Sequence, residues 1–190
     1  PAPPAPAPVE EPKREAWEAA GRDAARLARA RGLKEGADAQ FKKGLFEQAA
    51  EAYGEATAAL GEGDEYVQEA ALCYGNRAAC RLQIRDYGAA IADCMEVLGH
   101  DEGNVKALVR RAMAYEGLER YSKAAADCRE ALSIEFAAGG GLTALGHKAR
   151  ECLERCKKHD PAQRGIPIPV RAPPAGGARP ASPPAPAPTP

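Results

Sequence analysis

The sequence predicts an all-α fold made of stacked helix–turn–helix units, and two observations carry that prediction. The first is the placement of proline. All 17 prolines of the 190-residue chain lie in residues 1–12 or 161–190. Proline inside a helix removes a backbone hydrogen bond and clashes with the preceding turn. The proline-free stretch from Lys13 to Asp160, rich in Ala, Leu, Glu, Lys and Arg, therefore reads as helical throughout. The second observation is an internal repeat. Phe46-Glu-Gln-Ala49-Ala50-Glu-Ala-Tyr53, Tyr87-Gly-Ala-Ala90-Ile91-Ala-Asp-Cys94 and Tyr121-Ser-Lys-Ala124-Ala125-Ala-Asp-Cys128 share an aromatic residue, an alanine three places on and a larger residue four further. The second and third are 34 residues apart and the first and second 41 apart.

The elements follow in order. Residues 1–12 (PAPPAPAPVEEP) are a Pro/Ala tract with almost nothing to bury, and read as a disordered, polyproline-like tail. A leading helix is expected over about 13–31, running into the first unit, with Trp17 and Leu27 as its buried points. Units are expected at about 30–63, 71–104 and 105–138. The upstream halves repeat too: Asn76-Arg77-Ala78-Ala79 stands 34 residues before Arg110-Arg111-Ala112-Met113. Each unit is thus a helix A, a turn and a helix B. The polar insertion Gly61-Glu-Gly-Asp64 accounts for the longer first interval and ends helix B of unit one. Ala49, Ala90 and Ala124 let helix B approach helix A, while Phe46, Tyr87 and Tyr121 open helix B and fill the junction. No pair buries its apolar face alone, so stacking makes the core. After Gly139-Gly-Gly141 a capping helix is expected over 142–159, with Leu142, Leu145, Ala149, Cys152, Leu153 and Cys156 at helical spacing to cover the last apolar face. Residues 160–190 read as a second disordered Pro-rich tail, a linker or a ligand for a proline-binding domain.

Composition narrows the function. With 26 basic and 27 acidic residues the net charge is −1, which argues against a dedicated nucleic-acid binder. The apolar runs are far too short to cross a bilayer. The N-terminus lacks the pattern of a signal peptide, and opens on Pro1 rather than Met, as expected of a processed chain or a piece of a longer one. The six cysteines, Cys73, Cys80, Cys94, Cys128, Cys152 and Cys156, read as reduced, mostly buried thiols of a cytoplasmic protein. Cys152 and Cys156, one turn apart with His147 and His159 nearby, lack the tight spacing of a structural zinc site. Gly139-Gly-Gly141 lacks the Lys-Ser/Thr ending of a phosphate loop. No nucleophile–base set is evident, so no catalysis and no cofactor are expected.

The repeated segments resemble the tetratricopeptide (TPR) repeat over about residues 30–136. That resemblance implies three units stacked as a right-handed superhelix whose A helices line a concave groove. Within the family, Leu33-Lys34-Glu35-Gly36-Ala37-Asp38, Tyr74-Gly75-Asn76-Arg77-Ala78-Ala79 and Val105-Lys106-Ala107-Leu108-Val109-Arg110-Arg111-Ala112 are similar to the carboxylate-clamp co-chaperones. They look most like the clamp domains of myosin-folding co-chaperones, small cytosolic import co-chaperones and dynein-assembly factors. The clamp pattern is Lys and Asn on the first A helix, Asn on the second, and Lys and Arg on the third. It grips the C-terminal Glu-Glu-Val-Asp tail of heat-shock protein 70 and 90 chaperones. Lys34, Asn76, Lys106 and Arg110 match.

The chemistry suits the residues. Ammonium and guanidinium groups make short charge-assisted bonds to carboxylates, and an amide orients them. Asn76 and Arg110 occupy the same repeat position and so are expected side by side. Asp38 departs from the pattern: it stands where the clamp has Asn, and an ionised carboxylate has no donor and repels a carboxylate ligand. It is expected either to pair with Lys34 or Arg110, weakening the clamp, or to retune the groove toward a cationic ligand. Arg77 and Arg111 are expected in structural ion pairs. The function expected is a non-catalytic adaptor whose groove takes the acidic C-terminal peptide of a heat-shock chaperone, with other proteins engaged through the tails or missing domains. The alternative is a scaffold that binds an internal segment of a partner within a larger assembly.

Overall fold

The computed structural model describes residues 11–61, 63, 66–139 and 141–170, without the side chains of residues 11–20. Among the described residues seven α-helices follow one another: α1 (Glu11–Lys42), α2 (Phe46–Leu60), α3 (Val67–Gln83), α4 (Tyr87–His100), α5 (Val105–Gly117), α6 (Tyr121–Ala137) and α7 (Ala144–His159). A 3-10 turn at Pro161–Gln163 follows. No strand occurs among the described residues. Each helix packs on the next in the chain, and the alternate helices α3, α5 and α7 also touch. This is the stacked-pair arrangement the repeat implies.

The repeat is visible in the geometry of its joints. The A-to-B turns pass through a left-handed residue at the same place in each unit: Gly44 (φ 78°), Arg85 (φ 61°) and Glu119 (φ 57°). Only unit one uses the residue that adopts this conformation without strain. Side-chain oxygens of Asp86 and Asn104 accept hydrogen bonds from the backbone N–H of Ala89 and Ala107, capping α4 and α5. Ala49, Ala90 and Ala124 are fully buried where helix B meets helix A. The opening aromatics lean on aromatic or aliphatic neighbours: Phe46 sets edge-on to Phe41, and Tyr121 stacks on His159 of α7 with ring centroids 4.8 Å apart.

Three ion pairs, on two buried carboxylates, join helix A to helix B within units two and three. Asp93, nearly fully buried on α4, accepts from Arg77 Nη2 at 2.6 Å and pairs with Arg81 Nη1 at 2.7 Å. On α6, Asp127 accepts from Arg111 Nε and Nη2, both at 2.8 Å. Unit one has Gly36 and Ala52 at the matching positions and makes no such pair.

Four boundaries differ from those the sequence suggests. The leading helix and helix A of unit one are a single helix of 32 residues, α1, which begins at Glu11 rather than 13. Pro12 sits in its first turn, where a missing N–H costs nothing. Helix α3 begins at Val67, a turn before 71, because Tyr66 is buried with Leu60 and Ala30 and draws the chain back into the core at once. Leu27 packs on that same cluster. Helix α7 begins at Ala144 rather than 142, since Thr143 is its N-cap, accepting from the N–H groups of Leu145 and Gly146. Leu142 still packs on the core from outside the helix. The second tail also starts later than residue 160. Gln163 is buried, its side-chain and backbone oxygens accept from Arg129 Nη2 at 3.1 and 3.0 Å, and Ile168 packs on the main core. The proline-rich stretches 1–10 and 171–190, and the Trp17 side chain, lie outside the described residues.

Candidate functional site

Helix periodicity puts Lys34 and Asp38 one turn apart on α1, and Lys106 and Arg110 one turn apart on α5, with α3 and Asn76 between them. Asp38, Asn76 and Arg110 line one pocket of about 210 Å³, completed by Phe41, Lys42, Tyr53 and Ala79. The three A helices that the repeat stacks thus each contribute at least one polar group to a shared cavity.

Asp38 is the hub of this pocket. Its Oδ2 pairs with Lys34 Nζ at 2.8 Å, and its Oδ1 accepts from the Tyr53 hydroxyl and, at 3.4 Å, from Asn76 Nδ2. Burial opposes the charge on this carboxylate, but the bonds from Lys34 and Tyr53 outweigh it and hold its pKa below the ordinary carboxylate value. Tyr53, itself buried, has its pKa pushed well up by burial and by donating to Asp38. Asp38 is therefore an anion at neutral pH, and of its two expected partners it takes Lys34.

Arg110 is held differently. Its guanidinium lies against Gly75 of α3, where an added Cβ would stand 3.3 Å from Nη1. It makes no hydrogen bond or ion pair with any described residue. Burial lowers its pKa, though it remains a cation at any physiological pH. A half-buried guanidinium without an acceptor is costly, and this one stands at a pocket wall. Lys106 lies exposed on α5 and does not line the pocket. Arg77 and Arg111 are engaged with Asp93 and Asp127 and point away from this role.

Sequence reasoning missed Tyr53, Phe41, Lys42 and Ala79 as pocket walls. Tyr53 closes the repeated motif and so looked like core alone. Phe41 and Lys42 stand three and four residues after Asp38, a spacing that does signal a shared face. Cys152 and Cys156 are fully buried on α7 beside Cys128. No group of three or more metal-ligating side chains occurs among the described residues.

The fold defines a class: a helical-repeat binding module, here with a polar pocket between its A helices. The tetratricopeptide repeat signature matches residues 105–137. The TPR domain of Arabidopsis OM64 superposes with a TM-score of 0.59 at 31% identity, covering 70% of this chain and 98% of that domain. The second TPR domain of human RPAP3, solved with the HSP70 peptide SGPTIEEVD, superposes with a TM-score of 0.58 at 29% identity, covering 70% and 98%. Human sperm-associated antigen 1 is 40% identical over 105 residues, which are 55% of this chain and 11% of that protein. The chain thus spans only a small part of that relative's length. It belongs to the tetratricopeptide repeat family. None of its described helices is long and apolar enough to cross a membrane.

Proposed function

We propose that the chain is a non-catalytic adaptor whose groove captures the free C-terminus of an acidic chaperone tail, of the heat-shock protein 70 or 90 type, in a cytoplasmic setting. The observation that carries this reading is Arg110: a half-buried guanidinium with no acceptor among the described residues, at the wall of a pocket shared with Asn76. A terminal carboxylate supplies the missing acceptor. Lys106, one turn earlier and exposed, meets the acidic residues upstream. The RPAP3 domain of the same fold takes a peptide of this chemistry. A charged hydrogen bond contributes about 1.5–3 kcal/mol. A few of them reach the roughly 8 kcal/mol that micromolar affinity requires.

The test is a titration of the 190-residue chain with SGPTIEEVD and with the same peptide amidated at its C-terminus, at two salt concentrations. The expected result is micromolar binding of the free acid, lost on amidation and weakened by salt. Equal binding of both peptides, or of neither, would retire this reading.

A further inference from the structure

The pocket contains one carboxylate of its own, and that changes which C-termini it accepts. An ionised carboxylate has about four lone-pair sites. On Asp38 three are engaged, by Lys34, Tyr53 and Asn76. No described residue donates to the fourth, and Asp38 lines the pocket of about 210 Å³ whose wall includes Arg110. The donors divide the same way. Lys34 and Asn76, two of the four groups matching the clamp pattern, already direct hydrogen bonds at Asp38, whereas Arg110 directs none at any described residue. The pocket therefore presents one seat for an anion and, beside it, one seat for a donor. A ligand that brings two carboxylates on its last residue fills the first seat and meets a fixed like charge at the second.

We propose that Asp38 is a specificity-determining residue that makes the groove prefer free C-termini whose last side chain donates a hydrogen bond, namely Asn, Gln or Lys, over those ending in Asp. The α-carboxylate binds Arg110, and the terminal side-chain N–H donates to Asp38. This rests on the reading that the groove captures a free C-terminus, and it narrows the ligand class within that reading. Relief through protonation of Asp38 is not available near neutral pH. Lys34 and Tyr53 hold the carboxylate ionised, and Lys42 adds a further positive charge. Nor does Asp38 swing away at little cost, since Tyr53 is buried and its hydroxyl would lose its acceptor.

The experiment titrates the 190-residue chain, wild type and Asp38→Asn, with SGPTIEEVD, SGPTIEEVN and SGPTIEEVK, each as free acid and as C-terminal amide. In the wild type the Asn- and Lys-ending acids are expected to bind about tenfold tighter than the Asp-ending acid, the effect of one charge-assisted hydrogen bond. In Asp38→Asn the order is expected to reverse in favour of the Asp-ending acid. The wild-type comparison stands whether or not the variant folds. A wild type that prefers the Asp-ending acid, or binds all three acids alike, overturns the role given to Asp38 while leaving C-terminal capture intact. An order unchanged by Asp38→Asn, in a variant whose circular dichroism matches the wild type, overturns it also. Amides that bind as well as acids overturn the capture reading itself, and this inference with it.

Discussion

Replacing Arg110 by methionine should make the protein more stable and the groove inactive. The side chain is half-buried on α5, pressed against Gly75, and lacks an acceptor among the described residues. In the unfolded chain the guanidinium is fully hydrated, so folding carries a desolvation cost that no partner offsets. Methionine has similar length and no charge. For a group still partly in contact with water the gain is about 1–2 kcal/mol, well below the several kcal/mol of a fully buried ion. In a domain of this size each kcal/mol moves the melting temperature by about 2–4 °C, so Arg110→Met should melt about 2–8 °C higher. Peptide is expected to stabilise only the wild type. At about 100 times its Kd a ligand stabilises the wild type by roughly 2.7 kcal/mol, whereas the variant should gain nothing. Thermal denaturation with and without a saturating free-acid peptide measures both terms. A variant that melts lower than wild type, or that still gains stability from peptide, would refute the argument that Arg110 is held unpaired for an incoming carboxylate.

Further outcomes follow from other parts of the structure. Asp93→Asn should destabilise more than Asp127→Asn, about 3 against about 2 kcal/mol, because Asp93 neutralises two arginines and Asp127 one; equal denaturation midpoints would contradict this. Gly146→Ala should cost at least about 1 kcal/mol although alanine is the better helix former. An added Cβ would stand 2.2 Å from Glu135 Oε2, which accepts from the Thr143 backbone N–H at 2.8 Å at the start of α7. Urea denaturation gives the sign. The folded-state pKa values of Asp38 and Glu116 are depressed, against the pull of burial, by Lys34 and Tyr53 and by Arg155 respectively. The stability these carboxylates add is present above their unfolded pKa and is lost as pH falls through the folded value. Melting temperature should therefore be flat from pH 8 to about 5 and fall below about 4, and the drop should shrink in Asp38→Asn. All six cysteines are buried, and burial pushes the thiols of Cys80 up to about 11 and Cys94 up to about 12. A disulfide-exchange reagent should titrate none of the six rapidly in the native protein and all of them in denaturant; fast native labelling would show the core to be open.

Much of this was legible in the chain before any fold was known, and the reason is periodicity. Spacings of 34 between Asn76 and Arg110, and between Tyr87 and Tyr121, mean that each pair meets the same local surroundings. Stacking then turns equal sequence position into spatial adjacency. The helical class, the turn positions, the core role of Ala49, Ala90 and Ala124, and the neighbourhood of Asn76 and Arg110 all follow from that one rule. Where the rule lapses, so did the reading. The segment around residues 61–66 breaks the repeat, and nothing in its polar composition announces that Tyr66 turns inward against Leu60 and Ala30. The cap at Thr143 and the docking of Gln163 on Arg129 depend on which surface α6 leaves open, which residue spacing does not encode. The same holds for the pocket. Sequence places Asp38 near Lys34 by helical spacing and leaves its partner open between Lys34 and Arg110. Only the packing of α2 on α1 brings the Tyr53 hydroxyl to that carboxylate, and only the stacking of α5 on α3 sets Arg110 against Gly75, where no described residue accepts from it. Local periodicity determines which residues share a face. Which of them become hydrogen-bonded is decided by ångström-scale differences in helix approach, since a charge-assisted bond forms at about 2.8 Å and is gone by about 4 Å.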